Sequence, residues 1–198
     1  MHATNDLALD TRRLAAAAGL SERAGEAESF LARHWLSFGL IQKNLRARHR
    51  AARARAGVDR LQYDPVPLAD AFQVRLEGLL DTVRATAPVV AVATFAHRVR
   101  REQSPQERFV AASTNLLYMP YLSIDGLLAG YAAYNHAIEG AAASRGVLLV
   151  GGQDGIPAAA EYFTDSVHLT AAGCRWMAAR VLDALSADPA FVDLVEAR

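Results

Sequence analysis

Asp165-Ser166-Val167-His168 is the stretch of this chain best suited to chemistry. An Asp three residues before a His in one turn can accept the imidazole Nδ1–H, which fixes the tautomer and leaves Nε2 free to act as a base. The same spacing also suits a His that merely precedes a helix, because Leu169 and Thr170 follow at once and Thr is an N-cap residue. Its setting, after a strand and before a helix, is where open α/β sheets hold their ligands. His97 and Arg98 follow another strand-like run and would stand on the same rim, in reach of a substrate. A solvated loop, His-Arg-Val-Arg-Arg, is the plainer reading of that pair. Common alternatives are excluded: there is no G-x-S-x-G elbow, no P-loop, no H-E-x-x-H and no dinucleotide G-x-G-x-x-G. Cys174 is the single Cys, so an internal disulfide and a thiolate cluster for zinc are both ruled out, and it reads as a small buried residue. No metal and no cofactor are expected.

The elements that must position these residues alternate in type. Leu7 to Ala18 reads as a helix ended by Gly19, and Ser21 opens a longer helical stretch with Phe30, Leu31, Leu36, Leu40, Ile41 and Leu45 at helical spacing. Leu68, Phe72, Leu76, Leu79, Leu80 and Val83 mark another amphipathic helix, which Pro88 stops. Val89 to Phe95 is short, β-branched and apolar on both faces, as a buried parallel strand would be. Ser104-Pro105-Gln106-Glu107 is a capping box with Pro at the first helical position, so a helix starts there and runs to Pro120. Ser123 caps the next, whose apolar face carries Leu127, Leu128, Tyr131, Tyr134 and Ile138 and whose C-terminal glycine is Gly146. Val147 to Gly151 is the second strand. Thr170 then caps a helix through Trp176, Met177 and Val181, and Asp188-Pro189 opens a last short one.

Composition bounds the class. The chain has 198 residues, 52% hydrophobic, with 21 Lys+Arg balanced by 21 Asp+Glu. That length suits one domain with a sizeable core. Zero formal charge gives no global pull toward nucleic acid or an anionic membrane. No apolar run approaches the roughly 18 residues of a membrane span, and the first 30 residues lack the apolar core of a secretory signal. A local exception is the segment from Lys43 to Arg55, with six Lys/Arg, His49 and no acid. It lacks the aromatic interleaving that single-stranded nucleic acid would need. Arg supplies 20 of the 21 basic residues, which reads as codon bias rather than function.

Strands alternating with helices predict an α/β class with a partial, flavodoxin-like parallel sheet, two firm strands flanked by helices. Two are few for this length, since a domain of this kind usually shows about four to six strands, at about 30 residues per βαβ unit. Met1 to Asp6 reads as the tail of a further strand, as though the chain began partway through its domain.

Phe163 to Leu185, FTDSVHLTAAGCRWMAARVLDAL, resembles the last block of the SGNH/GDSL hydrolases, a family of serine esterases and lipase-like enzymes whose Asp-x-x-His supplies two triad members. The order of elements before it is similar to that family's second half, so the resemblance covers nearly the whole chain. Ala3-Thr4-Asn5-Asp6 is similar to the family's G-x-N-D block, with Ala3 where the family has Gly. The resemblance implies a three-layer sandwich and hydrolysis of a small-molecule ester. In that scheme His168 is the base, Asp165 orients it, and the Asn5 amide stabilises the oxyanion. The family's nucleophile block, G-D-S, lies upstream of G-x-N-D, so the expectation is an N-terminally truncated domain, inactive alone. Ser104, Ser123 and Ser166 read as caps or turn residues, and Ser113 as lying inside a helix. A chain so truncated would expose a sheet edge and invite self-association. The alternative is a non-catalytic α/β interaction module that binds through the basic helix 43–55 or through that sheet edge.

Overall fold

The computed structural model describes residues 3–20, 60–152 and 155–197. The helical stretch from Ser21, with its basic segment 43–55, lies outside the described residues. The described chain is a mostly helical α/β structure with one small parallel sheet. Its elements are α1 (Ala3–Ala17), α2 (Val66–Arg84), β1 (Ala91–Ala93), α3 (Pro105–Ala111), α4 (Ser113–Tyr118), α5 (Ile124–Arg145), β2 (Leu148–Val150), α6 (Ala171–Ser186) and α7 (Pro189–Glu196). Among the described residues no helix is long and apolar enough to cross a membrane.

The core is built around α5. Ser123 caps it by accepting the Gly126 N–H, and Gly146 ends it at φ 56°, a left-handed conformation that costs glycine nothing. Leu127, Leu128, Tyr131, Tyr134 and Ile138 are all buried, as their spacing predicts. α2 packs along α5 through Ala69, Phe72, Leu76 and Leu80, with the Phe72 and Tyr134 rings 4.8 Å apart. Burying each of the Phe and Leu side chains stabilises by about 1.5–3 kcal/mol. α1 crosses α5 at Gly130, where a Cβ would stand 2.9 Å from Leu7 and 2.6 Å from the Tyr63 hydroxyl. A side chain there would require Leu7 and Tyr63 to shift.

Three expectations about the helices are corrected. Residues 3–6 are not a strand tail: α1 begins at Ala3, where Ala3, Thr4 and Leu7 are buried on one helical face. The single helix expected from Ser104 to Pro120 is two, α3 and α4, joined at Ala112, and Ser113 is the first residue of α4. Cys174 is exposed, because α6 buries only Gly173.

The sheet consists of β1 paired in parallel with β2, Ala91 opposite Leu148 and Ala93 opposite Val150. Both strands are shorter than expected. Val90 and Val92, with Val147 and Leu149, pack on the core side. Alternation then puts Ala91 and Ala93 on the opposite face, where they are exposed, so β1 is not buried on both sides as its apolar run suggests. α6 lies against β2.

An ion network ties α1 and α2 to α5. The Tyr134 hydroxyl, fully buried, donates to Asp10 Oδ2 at 2.7 Å, and Arg75 donates to the same oxygen at 3.0 Å. Burial, then that bond to Asp10, pushes the Tyr134 phenol well above its ordinary value. Tyr134→Phe keeps the ring packing but takes one donor from a nearly buried carboxylate. We expect a loss of about 1–3 kcal/mol, read as a lower denaturant midpoint with an unchanged slope.

Candidate functional site

The carboxyl ends of β1 and β2 are held by side chains as well as by the ladder. Thr94 N–H continues the pairing to Val150 O at 3.1 Å. One residue further, the Asn135 amide of α5 stands in for a strand, accepting Phe95 N–H at 2.6 Å and donating to Phe95 O at 3.0 Å. The chain then runs through His97 and Arg98, and the Arg98 N–H donates to Ser166 O at 2.9 Å. That bond places the 163–169 turn beside the end of β1.

The turn is closed locally. Phe163 and Leu169 form an antiparallel bridge, and Thr164 donates to His168 O from both its N–H, at 2.8 Å, and its hydroxyl, at 3.0 Å. Asp165 Oδ1 accepts the N–H groups of Val167 and His168, both at 2.8 Å. Asp165 Oδ2 lies 2.7 Å from His168 Nδ1. The ring nitrogen that faces a carboxylate carries the proton, so Nε2 is the free one. The Asp165 side chain is 26% exposed and that of His168 73%, so the imidazole is open while its partner is sheltered. Burial raises the Asp165 pKa, but the two backbone N–H groups and the His168 ring outweigh it and hold the carboxyl below its usual value.

Beneath the turn lies a buried polar chain. Ser166, 1% exposed, accepts the N–H of Thr114 at 3.1 Å and of Asn115 at 3.4 Å. Asn115 Nδ2 donates to the Tyr131 hydroxyl at 2.5 Å, and that hydroxyl is 3.0 Å from Thr4 Oγ1. Burial, with the Asp165 charge adding to it, raises the Tyr131 phenol. The His97 ring stacks on Tyr131 with centroids 4.7 Å apart, and Phe95 packs on it at 5.0 Å.

Of the residues singled out in the sequence, Asp165 and His168 are brought together. His97 belongs to the aromatic group on Tyr131, which feels the Asp165 charge. Arg98 turns its guanidinium to the Ala158 carbonyl at 3.4 Å, bracing the 155–160 loop. Asn5 is exposed in the first turn of α1, next to Thr4. Ser104 and Ser123 are helix caps. Asn115 and Asn135 were missed, since their partners lie 16 and 40 residues away. Tyr131 offered the one usable signal, a phenol on an apolar face that must find a hydrogen-bond partner. Among the described residues no three His, Cys, Asp or Glu side chains converge as a metal site would require.

Helix α6 backs the turn. Thr170 caps it by accepting Gly173 N–H at 3.2 Å and donates its own hydroxyl to Glu161 O. At Gly173 a Cβ would lie 2.2 Å from the Tyr162 carbonyl oxygen, a backbone atom that cannot step aside. Gly173→Ala would gain up to about 1 kcal/mol in helix propensity, yet overpacking costs about 1–3 kcal/mol. We expect a lower Tm and displaced amide resonances from 162 to 170; an unchanged or higher Tm would contradict the packing.

The depressed Asp165 pKa sets a pH dependence. A carboxyl lower in the folded than in the unfolded state contributes stability above its unfolded value, about 3.9, and loses it as pH falls through the folded value. Carboxyl NMR should therefore give Asp165 a midpoint below about 3.9, with the His168 amide shifting in step. A midpoint at or above that value would mean that the pair does not form.

No family model matches the chain, and neither a curated protein nor a solved structure matches it significantly.

Proposed function

We propose that this chain carries the His–Asp part of a serine-type ester hydrolase of the SGNH/GDSL kind. The reading rests on one observation: His168 Nδ1 lies 2.7 Å from Asp165 Oδ2, on a turn tied to the carboxyl end of β1, with the ring open to solvent. The small parallel sheet with helices around it is compatible with part of a flavodoxin-like three-layer sandwich.

In this mechanism a serine Oγ attacks the carbonyl carbon of a small ester while His168 Nε2 takes its proton. Asp165 keeps Nδ1 protonated and favours the imidazolium. The carbonyl oxygen becomes an oxyanion, to which the Asn5 amide donates. As the tetrahedral intermediate collapses, the proton passes from Nε2 to the leaving alkoxide and the alcohol departs. Water then repeats the sequence on the acyl-serine and frees the acid. His97 and Arg98, on the segment that follows β1, are the residues assigned to contact the substrate. No cofactor is required. The serine is assigned to a G-D-S block upstream of the Ala3–Asp6 block, as the resemblance orders it; Ser104, Ser123 and Ser166 each accept a backbone N–H.

The test is chemical. The 198-residue chain should not react with a fluorophosphonate, whereas a form extended upstream through a G-D-S segment should be labelled and should hydrolyse a chromogenic ester. In that longer form His168→Ala should lose on the order of 1,000-fold or more in kcat, and Asn5→Ala about 100- to 1,000-fold. Stoichiometric labelling of Ser104 or Ser123 in the 198-residue chain would overturn the assignment, as would an active His168→Ala variant.

A further inference from the structure

α4 begins without a cap. Its N-cap position is Ala112, which has no side chain to offer, and α3 ends at the same residue. The N–H groups in the first turn of a helix have no partner inside it. Here two of them, on Thr114 and Asn115, are taken by Ser166 Oγ, an oxygen about fifty residues further along the chain. Ser166 sits between the Asp and the His of the candidate pair and is 1% exposed. Its carbonyl also accepts Arg98 N–H at 2.9 Å. The turn thus has a solvent side, with the His168 ring, and a buried side, with one hydroxyl bonded to the start of a helix.

From this we propose that Ser166 is a positioning residue for the Asp165–His168 pair. By docking on α4 it fixes how deeply the turn sits and how far it is rolled, so that Asp165 is sheltered while His168 Nε2 faces out. The docking also joins the turn to Asn115, and through Asn115 to Tyr131 and Thr4, the residue before Asn5. One buried chain of polar groups therefore supports the base and the first turn of the helix that carries the oxyanion donor. The importance of this role rests on the hydrolase reading, but the geometry can be tested without it. The opposing account is local: the Asp165 Oδ1 bonds and the Thr164 bonds would hold the pair unaided.

The experiment uses the 198-residue chain and nitrogen-15 NMR of the His168 ring at a pH where it is neutral. In the unaltered protein the Nδ1–H tautomer should predominate, because the carboxylate faces Nδ1. In Ser166→Ala that form should cease to be the major one, and the Asp165 midpoint should rise toward the ordinary carboxylate value. Ser166→Cys keeps the volume with a much weaker acceptor; it should shift the tautomer in the same direction and serves as the deciding variant should the alanine form not fold. Ser104→Ala, which removes an exposed cap, should leave the His168 ring unchanged. A folded Ser166→Ala or Ser166→Cys with an unaltered tautomer would overturn the positioning role and leave the hydrolase reading standing. If the unaltered protein shows Nε2–H as its major form, the pair itself is absent and both fall.

Discussion

Two phenols buried on one helix constrain most of this structure. α5 places Tyr131 and Tyr134 in the core with essentially no exposure. A buried hydroxyl left unpaired costs about 1–3 kcal/mol, so each needs a partner on another element. Tyr134 finds Asp10, which draws α1 and, through Arg75, α2 onto α5. Tyr131 finds Thr4 and Asn115, which fixes the start of α1 and the short helix α4 around the same point. The apolar contacts supply most of the driving force, while the two hydroxyls select an arrangement of the helices that gives each of them a partner.

The candidate site is an outgrowth of that arrangement. Asn115 meets Tyr131 with its side chain and Ser166 with its backbone N–H, so the packing of α5 reaches the Asp165–His168 turn through two residues. Asn135, also on α5, secures the end of β1. The turn is thereby supported from beneath by one helix, although both its working side chains belong to a loop. A rigid platform under the turn is what the proposed general base needs, because its proton acceptor must be held within a few tenths of an ångström of its target. α6 contributes from behind, with Gly173 allowing its backbone to lie directly on Tyr162.

The break between α3 and α4 follows from the same economy. A continuous helix through Ala112 and Ser113 would satisfy its own N–H groups and leave nothing for Ser166 to bind. Interrupting it frees the N–H groups of Thr114 and Asn115, and the turn from the far end of the chain takes them. The helix gives up internal bonds of about 1 kcal/mol each and receives equivalent ones from a tertiary partner.

What the sequence determined by itself was local. The Asp165/His168 spacing, the capping box at Ser104, the caps at Ser123, Thr170 and Asp188, the left-handed Gly146 and the apolar face of α5 all depend on neighbours within about one helical turn. Those short-range rules carry over to the folded state because nothing distant competes with them. The tertiary structure decided the rest. It turned Ala3–Asp6 into helix because Thr4 and Leu7 have a buried place on α5, and it divided the Ser104–Pro120 segment because Ser166 competes for its N–H groups. It left Ala91 and Ala93 exposed, since period-2 alternation states that a strand has two faces but not which of them will be covered. Asn115, Asn135 and Tyr131 act on partners 16 to 127 residues away, and no local pattern encodes a pairing at that range. The pair with chemical potential was therefore legible as two residues, and the support that aims it was not.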